Sequence, residues 1–148
     1  MSTDEKITED LIQTLEDGAN GFSSAADKLE SDGRPDLAVH FRTFSAERST
    51  FGDELQVLAA TYGDEVERSG SIAAAVHRGW MAVKDTIAGS DPDGVLDAAL
   101  QGEDHAVSEF QKALDSDISP ELRVVVARQS ASVQAVRDQV DKLKADLS

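Results

Sequence analysis

Apolar residues recur every three or four positions along most of this chain, the spacing that lines one face of an α-helix. The first such segment covers about residues 3–29, with Ile7, Leu11, Leu15, Gly18, Phe22, Ala25 and Leu29 on its stripe. Ser2 with Glu5 three places on reads as a capping box at its start, and Ser31-Asp32-Gly33-Arg34-Pro35 breaks it. The second segment, about 35–62, places Leu37, Phe41, Phe44, Phe51, Leu55, Leu58 and Tyr62 together, and Gly63 ends it. A third, 71–88, is capped by Ser71 and carries Ile72, Val76, Gly79, Trp80, Val83 and Ile87. A fourth covers 92–114, with Val95, Ala99, Gly102, Ala106, Phe110 and Ala113 inward. The fifth, 119–147, opens with Ser119 as cap, Pro120 in the first turn and Glu121 facing the helix dipole. Leu122, Val125, Val126, Val133, Val136, Val140 and Leu143 form its stripe. No alternating strand pattern competes, and no solenoid-length repeat is present. At about 1.5 Å per residue the first, second and fifth helices are each near 40 Å long. The pattern predicts one all-α domain over residues 1–148: a four-helix bundle with the 71–88 helix as an additional crossover.

Polar residues within an apolar stripe are where a bundle departs from plain packing. On a helical wheel three of them fall mid-stripe: Arg48 between Phe44 and Phe51, Glu103 between Ala99 and Ala106, and Gln129 between Val126 and Val133. All three are near mid-helix, so an antiparallel bundle brings them to one level. A lone buried charge is expensive and a paired one tolerable. The expectation is an Arg48–Glu103 ion pair with Gln129 completing its hydrogen bonds, and with Glu47, at the edge of its stripe, able to join. Such a trio either fixes helix register or is a carboxylate site.

Composition narrows the chemistry. The 148 residues hold 29 acidic and 14 basic side chains, a formal charge of −15, and no cysteine. Thiol catalysis, zinc–thiolate sites and iron–sulfur clusters are therefore excluded. Nucleic acid and anionic membrane are unsuited as partners, because both require Lys and Arg to neutralise phosphate. Neither a signal peptide nor a membrane-spanning run is evident, so cytoplasmic residence is expected.

The histidines form no metal constellation: His40 flanks its helix, and His77 and His105 point away from their stripes. No His follows a Glu by three residues, the spacing by which both reach one di-iron centre; Thr50 follows Glu47, and Ala106 follows Glu103. Asp91-Pro92-Asp93-Gly94 is a helix-start turn and lacks the rest of a calcium loop. Trp80 reads as a core anchor, with Gly79 allowing close helix approach.

Three blocks, Leu11-Ile12 through Asp17-Gly18 to Phe22, Gly70-Ser71 through His77-Arg78-Gly79-Trp80-Met81, and Gly102-Glu103-Asp104, resemble a bacterial ferritin-like four-helix-bundle family catalogued as a domain of unknown function. The resemblance implies a cytoplasmic bundle of ferritin-like topology and brings no established activity. The wider superfamily holds two metals between inward glutamates and paired Glu-x-x-His motifs; Glu103, and less directly Glu47, match an inward carboxylate. Ala19, Ser132 and Arg137 stand where relatives carry acidic residues or His, which argues against such a centre.

The resulting expectation is a non-catalytic, soluble bundle without catalytic residues, resident metal or other cofactor, of a stress-associated or accessory kind. A di-iron or di-manganese oxidase using Glu47 and Glu103 is the enzyme alternative, and an acidic module for a basic protein partner is a third. A homodimer suits the architecture but is not demanded, since every apolar stripe can be spent inside one chain.

Overall fold

The computed structural model describes residues 2–61, 87 and 89–147, and these contain four α-helices and no strand. They are α1 (Thr3–Ser31), α2 (Pro35–Ala60), α3 (Pro92–Leu114) and α4 (Pro120–Asp146). The expected 71–88 crossover helix lies outside the described residues apart from Ile87, which is buried. Trp80, His77 and the Gly70–Met81 block lie outside them as well.

Local chemistry sets the helix ends. The Ser2 hydroxyl accepts from the Glu5 N–H at 3.2 Å, and Asp91 accepts from the Gly94 N–H at 2.8 Å, so the Asp-Pro-Asp-Gly run serves as an N-cap. The turn after α1 needs a left-handed residue, supplied by Gly33 at φ 78°, after which the Arg34 N–H reaches back to Leu29 O at 2.8 Å. At the α3–α4 turn, Arg123 donates to the carbonyls of Leu114 (2.7 Å) and Ser116 (3.0 Å), satisfying the end of α3. The Ser119 N–H donates to Asp4 Oδ1 at 2.9 Å, which ties the start of α4 to the start of α1.

Two core layers define the helix directions. One joins the C-terminal half of α1 (Phe22, Ala26, Leu29), the start of α2 (Leu37, Phe41), the start of α3 (Val95, Leu96) and the end of α4 (Val136, Val140). The other joins Leu11 and Leu15, Phe51 and Leu55, Ala106 and Phe110, and Leu122 to Val133. α1 and α4 therefore run one way, and α2 and α3 the other. α1 packs on α2 and α3, and α4 packs on α3 and least closely on α2, so α2 and α3 oppose each other across the bundle. The end of α2 and the start of α3 lie at opposite ends of it. Between the two layers, at the waist, the interior is polar.

Candidate functional site: the polar waist

Arg48 projects from the middle of α2 toward α3, and Glu103 from the middle of α3 toward α2. Both are almost sealed from solvent, at 1% and 2% exposure. Arg48 Nη1 donates to Glu103 Oε1 at 2.8 Å, and Nη2 donates to Oε2, a bidentate fork across the diagonal of the bundle. The carboxylate thus has a cation on both oxygens, the arrangement that makes burial of two charges tolerable. Burial pushes the Glu103 carboxyl above its ordinary range, against the hydrogen bond and charge of Arg48 that hold it down. Asp104 and Glu47 add to the upward push.

α1 supplies the cradle. Gly18 stands beside the guanidinium, and a Cβ there would lie 3.1 Å from Arg48 Nη1 and 3.6 Å from its Cγ. The Arg48 Cζ sits 5.2 Å from the centroid of the Phe22 ring, within cation–π range. That ring is fixed by edge-on contacts with Phe41 at 5.5 Å and Phe44 at 5.3 Å. Arg48 Nε has no hydrogen-bond partner.

Gln129 does not complete this pair, contrary to expectation. Its Nε2 donates to Phe51 O at 3.2 Å and to Glu54 Oε1 at 2.7 Å, both on α2, while its buried Oε1 has no partner. The physical reason is adjacency: α4 lies alongside α2, so an inward amide on α4 meets the flank of α2 before it reaches the α2–α3 diagonal. Glu54 also accepts from Arg128, and that hydrogen bond is the main cause holding its carboxyl below the usual range. Glu47 does not join either. It immediately precedes Arg48 on α2 and is partly buried, and its Oε1 is buried without a hydrogen-bond partner.

The positions compared with ferritin-like ligands have other roles. Ala19 is buried, and its carbonyl accepts from Ser45 Oγ at 2.8 Å. Arg137 Nε donates to Asp104 Oδ1 at 2.8 Å, a surface link between α4 and α3. Ser132 is partly buried, His40 stacks on Phe44 with centroids 6.5 Å apart, and His105 is exposed. Among the described residues no three His, Cys, Asp or Glu side chains gather closely enough to hold a metal ion. No described helix is long and apolar enough to cross a membrane.

Sequence reasoning placed Gly18 and Phe22 on a generic apolar stripe and so missed their role as cradle. A signal for Gly18 was present: glycine inside a helix costs about 1 kcal/mol against alanine, so it marks a place where something approaches closely. The Glu54–Arg128 pair and the Asp4–Ser119 tie lie off the stripes and had no signal in the apolar spacing.

A family model described as a domain of unknown function (DUF2383) matches residues 5–116. The match takes in Gly18, Phe22, Arg48 and Glu103 and stops short of α4. No curated protein matches the chain, and no solved structure does. With nearly all of its first three described helices and the whole Arg48–Glu103 contact inside the match, the chain belongs to the DUF2383 family.

Proposed function

We propose that this chain is a non-catalytic, cytoplasmic bundle of ferritin-like topology, accessory or stress-associated in role, whose waist is closed by an internal ion pair where a carboxylate metal centre would otherwise sit. The single observation that carries the reading is that Arg48 engages both oxygens of Glu103 in a site sealed from water. The opposed, parallel α2 and α3 support the topology, since ferritin-like bundles join two such helices by one long crossover. The donor set does not fit two metals. Glu103 is neutralised by a fixed cation, a guanidinium beside the site repels a dication, and Glu47 has no Glu-x-x-His partner because Thr50 stands three places on.

The test is metal content by mass spectrometry after anaerobic loading with Fe(II) or Mn(II) and desalting. The proposal expects less than about a tenth of an equivalent per chain, against about two for the dinuclear sites of ferritin-like carboxylate proteins; near two, with an optical response to Fe(II), would establish the oxidase alternative. A second reading, an acidic module for a basic protein partner, draws on the net charge of −15. It requires association that weakens steeply with salt, which the plain bundle does not show.

A further inference from the structure

Arg48 contributes to the waist through the end of its side chain. The two terminal nitrogens make the hydrogen bonds, the face of the fork lies over Phe22, and Nε bonds to nothing. Everything that recognises the fork belongs to the other two helices. α3 presents a carboxylate with both oxygens toward it, the geometry that the two parallel N–H donors of a planar guanidinium match. α1 presents an aromatic face at 5.2 Å and, at Gly18, a gap in which a side-chain carbon would come within 3.1 Å of a nitrogen. Of these features the aromatic face is held independently of Arg48, since Phe22 is braced by Phe41 and Phe44 within the core.

We infer that α1 and α3 together form a preformed receptor for a guanidinium group, that Arg48 is its tethered ligand, and that the vacated receptor takes a free guanidinium ion in preference to a divalent metal ion. A free guanidinium reproduces every polar contact that Arg48 makes there, because the one nitrogen on the stem side makes none. A divalent ion requires several oxygen or nitrogen ligands, and among the described residues no three His, Cys, Asp or Glu side chains gather closely enough to supply them. The receptor is also what joins the two hairpins across the diagonal, with α2 docking its arginine on α3 through a slot that α1 provides. The inference rests on the reading of the waist as free of metal. Its failure is separable, because metal loading is measured on the wild-type chain and guanidinium binding on a variant.

The experiment follows thermal unfolding of Arg48→Ala by circular dichroism, with up to about 20 mM guanidinium chloride against sodium chloride of equal ionic strength. The denaturing action of guanidinium at that concentration is negligible, at slopes of a few kcal/mol per molar. With half-saturation near 1 mM, 20 mM guanidinium multiplies the folded-to-unfolded ratio about 20-fold, a rise in Tm of about 5 °C for a chain of this size. The wild type should not shift, and Arg48→Ala/Glu103→Gln should lose the response. Manganese(II) chloride at 1 mM should leave Arg48→Ala where sodium chloride does. If Arg48→Ala is unfolded in buffer, guanidinium should restore its helical ellipticity. Neither a shift nor a recovery, an equal response in the double variant, or a larger response to manganese would each overturn the inference.

Discussion

Removing the carboxylate of Glu103 isolates the energetic weight of the waist. In Glu103→Ala the guanidinium of Arg48, 1% exposed in the wild type, keeps its charge and loses both acceptors. The Phe22 ring remains and recovers only a small part of the loss. An uncompensated buried charge of this kind costs about 3–5 kcal/mol, against a total stability of about 5–15 kcal/mol for an ordinary domain. At a urea slope of about 2 kcal/mol per molar, the midpoint falls by about 1.5–2.5 M. The complementary variant, Arg48→Met/Glu103→Leu, removes both charges and fills the space with apolar atoms. It should lie near the wild type or above it, because the pair pays a desolvation penalty that apolar replacements avoid. Urea unfolding followed at 222 nm on the wild type, Arg48→Met, Glu103→Leu and the double variant gives the coupling directly. A loss below about half a kcal/mol for Glu103→Ala would refute the burial of the pair, and additive single losses would refute their contact.

Three further outcomes follow from the same geometry. Gly18→Ala should be neutral or destabilising in the wild type, where the new Cβ meets the guanidinium, yet should stabilise Arg48→Ala by about 1 kcal/mol through helix propensity; equal urea midpoint shifts in both backgrounds would contradict the slot. Gln129→Met removes a buried oxygen that has no partner together with two donor contacts to α2, so its stability should stay within about 1 kcal/mol of the wild type; a loss above about 2 kcal/mol would place Gln129 in the load path of the waist. Burial raises the Glu103 carboxyl, while desolvation and neighbouring Glu16 push Asp17 up to about 6 with His105 opposing. A carboxyl raised in this way holds its proton more tightly in the folded chain, so the stabilisation is complete below the unfolded value near 4 and is lost as pH rises through the folded value, about 6 for Asp17, with Glu103 acting in the same direction. Self-repulsion at −15 acts in the same direction. The urea midpoint should therefore be higher at pH 5 than at pH 7.5, and Asp17→Asn should narrow that gap by under about 1 kcal/mol, since solvent screens Asp17. A midpoint that rises over this range would contradict it.

What the sequence discloses here follows from what a helical wheel contains. The wheel gives the direction of each side chain relative to its own helix axis, so the apolar stripes, the caps at Ser2, Asp91 and Ser119, and the inward positions of Arg48, Glu103 and Gln129 are all legible. It does not give which helix lies beside which. Arg48 and Glu103 point at the bundle axis from opposed helices and meet across it. Gln129 also points inward, but α2 flanks α4, and the amide is captured by the Phe51 carbonyl and Glu54 on the way. The same limit hid the cradle, because Phe22 looks like any core aromatic until Arg48 is placed over it. Gly18 was the more informative residue, as a helix-weakening choice in the middle of a long helix. The surface ties Glu54–Arg128 and Asp104–Arg137 depend on lateral register between helices, which stripe periodicity leaves free.

The measurement that tests the central claim most directly is nitrogen-15 NMR of the arginine side chains at neutral pH. Of the eight arginines in the chain, Arg48 alone among the described ones is sealed from water and held at both terminal nitrogens by one carboxylate. The account predicts one guanidinium, assigned to Arg48 by its absence in Arg48→Lys, with resolved, slowly exchanging Nη protons and hindered rotation that are lost in Glu103→Gln. An Arg48 guanidinium that exchanges with water as freely as the surface arginines, or that is indifferent to Glu103, would contradict it.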